Sequence, residues 1–173
     1  AALGAMVANL SSHKPGWDDR WQEFSHWADK GQEMMHNLLH LVDEDTEAFN
    51  RIMAAFGLPK KTDADKQART DAIQAATLYA AQVPLPTMKE SFRVFELCKA
   101  MAEIGNPNSV SDAGVGALAA RAAVLGAGMN VKINAGSLID KEVSGKLIAE
   151  ANDLIAKANV AEAEIVAIVE TKL

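Results

Sequence analysis

Apolar residues along this chain recur three and four positions apart and almost never alternate. That is the spacing of a helix face, not of a strand. The pattern predicts six helices. The first, 1–12, ends near Ser11 and Ser12, because Lys14-Pro15-Gly16 cannot continue it. The second is long, roughly 19–56, and Leu38, Leu41, Val42, Phe49, Ile52 and Phe56 mark its apolar stripe. Gly57 closes it as a C-terminal glycine and Pro59 blocks a restart. Thr62, with Asp65 three residues on, has the form of a capping box. It opens a third helix that runs to about Gln82. "VPLP" separates this from a fourth helix, about 87–104, and Gly105-Asn106-Pro107-Asn108 is the next break. The fifth covers about 111–134 and the sixth about 140–172. Leu147, Ile148, Ala151, Leu154, Ile155, Ala158, Ile165, Ile168 and Val169 stripe the sixth. Helices with short connections pack antiparallel, so the predicted fold is all-α: one domain over 1–173, an up-and-down bundle of about six helices.

The fifth helix stands apart. Gly114, Gly116, Ala117, Ala120, Ala123, Ala127 and Gly128 leave it little side-chain bulk, so other backbones can come close. This predicts a helix covered by neighbours on most sides, at the fold centre or at a subunit seam. The longest small-apolar segment, 113–131, is interrupted by Arg121, so no membrane span is expected. A net charge of −6 offers no broad basic face to nucleic acid. The single cysteine, Cys98, excludes an internal disulfide and fits a reducing compartment. No signal peptide is visible, and a cytoplasmic location is expected. The opening "AALGAMVANL" has mid-helix character and reads as if residues upstream of it are missing.

Candidate chemistry sits on few residues. Asp45 lies four from Leu41 and four from Phe49, so it shares the apolar stripe of the second helix. A carboxylate there is either a partly desolvated functional acid or one half of a structural ion pair. Asp112, beside Ser109 and Ser111, either caps the fifth helix or points at a ligand while Ser111 caps. Arg121 is the only charge between Asp112 and Lys132, and Asp45 is its plausible partner. Asn130 and Asn134 share one helix face; they satisfy carbonyls at the helix end or read the polar edge of a ring. His36 and His40 are spaced like zinc ligands, but no glutamate motif or third ligand accompanies them, and no metal is expected. Trp17, Trp21 and Trp27 either stack on a flat ligand or, as is usual for tryptophans at helical spacing, serve packing. Lys60, Lys61 and Arg69 form a small basic group, either plain solvated surface or a hold on an anionic tail.

"VDEDTEAF", "GLPKKTDADKQARTDAIQ", "VPL", "GNPNSVSDAGVGA" and "NVKIN" occur in an order and spacing that resembles the cyclodeaminase/cyclohydrolase family, which includes the C-terminal domain of formiminotransferase-cyclodeaminase. The resemblance runs from about residue 3 to the end. The family's usual glycine- and serine-rich lead-in before the first helix is absent. The resemblance implies a dimeric or larger folate enzyme that needs no metal. Its substrate is a tetrahydrofolate derivative with a glutamate tail, and a formiminotransferase is an implied partner. The implied reaction closes a ring on formiminotetrahydrofolate and releases ammonia, a step of histidine degradation. Methenyltetrahydrofolate hydrolysis on the same scaffold is the alternative, and a folate-binding or assembly module without turnover is a third reading. Under the resemblance, Asp45 and Asp112 are the catalytic acids. Asn106, Asn130 and Asn134 meet the pteridine edge, Asn108 and Ser111 contact substrate from the same turn, and Lys60 and Arg69 hold the glutamate tail.

Overall fold

The structure, a computed structural model, describes residues 1–173. It contains six α-helices and no strand: α1 (Ala2–Ser12), α2 (Trp21–Phe56), α3 (Asp63–Gln82), α4 (Pro84–Ile104), α5 (Val110–Gly136) and α6 (Lys141–Glu170). Short 3₁₀ turns, Asp18–Arg20 and Pro107–Ser109, precede α2 and α5. Local chemistry sets several boundaries. Thr62 and Asp65 form the expected capping box, with hydrogen bonds of 3.1 and 2.9 Å. Asp140 caps α6 by accepting from the amides of Glu142 and Val143, both at 3.0 Å. At the other end of α6, Lys172 donates to the carbonyls of Ala102 and Glu103, both at 2.7 Å, and so satisfies the end of α4.

Two expected breaks have a different form. Gly57 keeps right-handed dihedrals (φ −75°, ψ −12°). The end of α2 is met instead by Arg69, whose guanidinium donates to the Phe56 carbonyl at 3.2 and 3.4 Å. "VPLP" is not a connector. Val83 also holds helical dihedrals (φ −56°, ψ −38°), and α4 begins at Pro84, three residues earlier than expected, with proline in its first turn. Proline is tolerated there because the N–H it lacks would be unsatisfied anyway. Here, however, α3 runs straight into α4. The carbonyl of Ala80, four residues before Pro84, therefore has no helical donor. The side-chain amide of Asn134 on α5 supplies one at 3.0 Å.

The core centres on α4 and α5. Met88, Val94, Phe95, Leu97, Cys98 and Met101 on α4 pack with Val110, Ala113, Ala117, Val124 and Val131 on α5. The α6 stripe is inward as expected, with Leu147, Ala151, Ala158, Ile165 and Val169 buried. Glycine sets some of the spacing. A Cβ on Gly31 would lie 2.7 Å from Ala5 Cβ, and one on Gly116 would lie 2.8 Å from Cys98 Sγ.

The apolar face of α2 differs from the expected stripe, and within one chain α5 is covered on one side only. On α2, the inward face is Phe24, Ala28, Gly31, Met34, Ala48 and Ala55, while Val42, Phe49, Met53 and Phe56 are exposed. A second set of apolar positions takes the core, with Ala28 and Gly31 between the fully buried Phe24 and Met34. On α5, one side is covered, but Val115, Leu118, Met129 and Ile133 are exposed, Ile133 by 71%. The segment Pro107–Gly136 is also long and apolar enough to cross a membrane, with mean hydropathy 1.3 over its window, despite Arg121. Its buried side is accounted for by packing within the bundle, chiefly against α4 and α6.

Candidate active site

α2, the first turn of α4 and α5 enclose an open cleft of about 380 Å³. Leu38, Leu41, Val42, Asp45 and Thr46 line it from α2, and Pro84 and Thr87 form one side at the start of α4. Ala123, Gly126, Ala127 and Asn130 line it from α5, where small residues leave the room. Polar groups on otherwise apolar walls fit a small molecule with an apolar body and a polar edge.

Asp45 is exposed, not desolvated, because it follows the outward stripe of α2. It does not pair with Arg121. That guanidinium turns to α6, donating to Asn159 Oδ1 at 2.7 Å and lying 3.8 Å from Glu162. The carboxylate of Asp45 is thus available to the cleft. Asn130 faces it from α5. The side-chain amide of Asn134 donates to Asn130 Oδ1 at 3.0 Å, which orients the Asn130 NH₂ group. Asn134 therefore acts on the cleft through Asn130, with its own donor group shared between Asn130 and the Ala80 carbonyl.

The other candidates lie elsewhere. Asp112 stands in the first turn of α5, behind Ser109, which makes no side-chain capping bond. Asp112 is half-buried and Ser111 is exposed. Asp112 and Asn130 are separated by five turns of one continuous helix, about 27 Å at 1.5 Å per residue. Asp112 and Asp45 do not meet in one chain. Asn106 accepts from the Asn108 amide at 3.1 Å and donates its own N–H to Ser11 Oγ at 2.8 Å, so both residues shape the turn before α5. Lys60 is exposed beyond the end of α2, and Arg69 is held on the Phe56 carbonyl, with its guanidinium 5.6 Å from the Phe56 ring. Both lie past α2's last turn, which ends about 16 Å along the helix from Asp45. His36 and His40 are exposed, with His40 Nε2 3.7 Å from Glu44. Trp17 stacks on Phe24 with ring centroids 5.4 Å apart, Trp27 packs at the core edge and Trp21 is exposed. Burial pushes the Cys98 thiol up to about 11.

Residue spacing did not reveal Thr46, Pro84 or Thr87 as cleft residues, nor a cluster beside it. Tyr79 donates to Glu44 at 2.6 Å under the Arg51 guanidinium, 4.1 Å from the ring centroid. The hydrogen bond to Glu44 raises the Tyr79 hydroxyl's pKa. The only signal in the sequence was that Tyr79 is the sole tyrosine.

Known proteins place this arrangement in context. A family model described as formiminotransferase-cyclodeaminase matches residues 1–153. A methenyltetrahydrofolate cyclohydrolase from Methylorubrum extorquens is 35% identical over all of this chain, which spans 83% of that protein. Formimidoyltransferase-cyclodeaminases from Gallus gallus and Rattus norvegicus are 30% and 27% identical over 99% of the chain. The chain spans only 32% of each. A crystal structure of formiminotetrahydrofolate cyclodeaminase from Thermotoga maritima superposes with a TM-score of 0.83 at 25% identity. It covers 98% of this chain and 81% of that one.

Proposed function

This chain belongs to the formiminotransferase-cyclodeaminase family, and we propose that it acts on the one-carbon group held between N5 and N10 of tetrahydrofolate. The observation that carries this reading is the cleft itself: a free carboxylate, Asp45, faces an oriented amide, Asn130, across mostly apolar walls. In hydrolysis, water adds to the electrophilic methenyl carbon, the carbon–N5 bond breaks and a proton is released. Asp45 takes that proton, and its charge favours the cationic substrate. The Asn130 NH₂ donates to a pteridine acceptor. The relative that this chain matches along its whole length supports hydrolysis.

Cyclodeamination is the second reading, supported by the solved cyclodeaminase. There N10 attacks the formimino carbon, the N10 proton is lost and ammonia departs after protonation. Asp45 then acts as the proton carrier and stabilises the same methenyl cation. A formiminotransferase would supply that substrate. A homodimer belongs to both readings, and the exposed apolar faces of α2 and α5 support it.

The test offers the purified chain methenyl- and formiminotetrahydrofolate separately, following methenyl absorbance and ammonia release. Turnover of one is expected. Asp45→Asn should cut it about a hundredfold with melting unchanged, the usual scale for a positioned acid–base group. Conversion of neither substrate, or full activity in Asp45→Asn, would overturn the proposal.

A further inference from the structure

A backbone carbonyl can only accept a hydrogen bond. The Asn134 atom that lies 3.0 Å from the Ala80 oxygen is therefore its nitrogen, Nδ2. The same nitrogen lies 3.0 Å from the Asn130 side chain, so the Asn130 atom it meets is the acceptor, Oδ1. Both hydrogens of Asn134 Nδ2 are spent on these bonds. Asn130 is left with one way to face the cleft, NH₂ first, and its amide hydrogens have no acceptor in the protein.

The carbonyl that starts this relay is free because of Pro84. Where α3 runs into α4 through helical Val83, residue 84 is the one whose N–H would reach Ala80, and proline has none. Any other residue there would offer a donor that competes with Asn134. The remaining polar groups of the cleft wall do not duplicate Asn130. Asp45 accepts, the Thr46 hydroxyl is turned back to the Val42 carbonyl at 3.0 Å, and the Thr87 hydroxyl can donate or accept. Asn130 is thus the only donor of the wall whose direction is fixed, and it faces a carboxylate.

We propose, on the folate reading above, that Asn134 is a positioning residue that makes the cleft select a 4-oxo over a 4-amino pteridine ring. In a folate, the oxygen on C4 stands beside N5, the nitrogen that carries the one-carbon group. It is the ring acceptor nearest the carbon that Asp45 serves, and Asn130 lies across the cleft from Asp45. The Asn130 NH₂ donates to that oxygen. A 4-amino ring sets donor against donor, and both groups lose their water without gaining a partner. Asn134 does not line the cleft itself. It acts by denying Asn130 the turned-over state, in which Oδ1 would accept from a 4-amino group.

Tetrahydrofolate and its 4-amino analogue are titrated into the protein by calorimetry. The native chain should bind the 4-oxo ring about tenfold tighter or more. Asn134→Asp replaces the donor by an acceptor, so Asn130 must turn and present Oδ1. The change is made in a Pro84→Ala background, where residue 84 gives the Ala80 carbonyl its helical donor, and Pro84→Ala alone is the reference. Between these two chains the ratio of the affinities should fall about tenfold or more. Differences intrinsic to the rings cancel in that comparison, and a merely structural role would weaken both rings alike. An unchanged ratio overturns the proposal. The native chain gives a second reading without ligand. In heteronuclear NMR the Asn134 side-chain protons, both hydrogen-bonded, should exchange with water more slowly than those of Asn130; equal rates overturn the relay. A native chain that binds neither ring overturns the folate reading itself, whereas equal binding of both overturns the selectivity alone.

Discussion

Removing the Asn134 side chain should destabilise the fold through a carbonyl on another helix. Pro84 has no N–H, so the Ala80 carbonyl lacks its helical donor and takes the Asn134 amide at 3.0 Å. Asn134→Ala leaves that partly buried acceptor unpaired, at a cost of about 1–3 kcal/mol. The better helix propensity of alanine returns about 0.5 kcal/mol. The net loss, about 0.5–2.5 kcal/mol, lowers the melting temperature by a few degrees in a chain of this size. Pro84→Ala restores an N–H four residues after Ala80. In that background Asn134→Ala should cost at least about 1 kcal/mol less. Urea unfolding followed by helical circular dichroism, at fixed protein concentration, gives the four corners of the cycle. The altered unfolded-state entropy of Pro84→Ala cancels within it. Equal cost of Asn134→Ala in both backgrounds would refute the argument.

Three further outcomes follow from packing and titration. Gly31→Ala should destabilise by about 1–3 kcal/mol in thermal melts, since its Cβ would sit 2.7 Å from Ala5 Cβ and 3.2 Å from Ala5 Cα. Gly145→Ala on exposed α6 surface, where a Cβ meets nothing within 4 Å, should instead stabilise by about 0.5–1 kcal/mol. Cys98 keeps its proton to about 11 when folded, against 9.0 for the free group. The folded state therefore binds more protons than the unfolded state above 9.0, and stability should fall as pH rises from there toward about 11. Urea midpoints across that range should show a shallower fall in Cys98→Ala; identical slopes would contradict the burial of the thiol.

Helix positions, the Thr62–Asp65 capping box and the α6 stripe were legible because each is set by residues within a few positions of one another. The motif resemblance also reached Asp45 and Asn130, which the structure brings to one cleft. What spacing could not decide was which apolar face of α2 turns inward. Phe49 and Phe56 look like core residues, yet Phe24, Ala28, Gly31 and Met34 take that place because small residues admit α1 closely. Asp45 was carried outward with the wrong face. Arg121 found its acceptors 38 and 41 residues downstream on α6, beyond local pattern. The separation of Asp112 from Asp45 follows from the length of α5 once that helix is known to be unbroken. Val83-Pro84 misled because a proline that ends one helix can equally begin the next.

The unbroken course of α5 constrains how chain length can vary. One added residue between Asp112 and Asn130 would swing everything after it by about 100° and 1.5 Å. Asn134 would lose the Ala80 carbonyl, Asn130 would leave the cleft, and the outward stripe would split into two misaligned halves. Loops absorb insertions without such rotation. Length changes among functional homologues should therefore collect at 13–17, 57–62 and 137–140, and the stretch from Asp112 to Asn134 should keep its residue count even where its side chains have drifted.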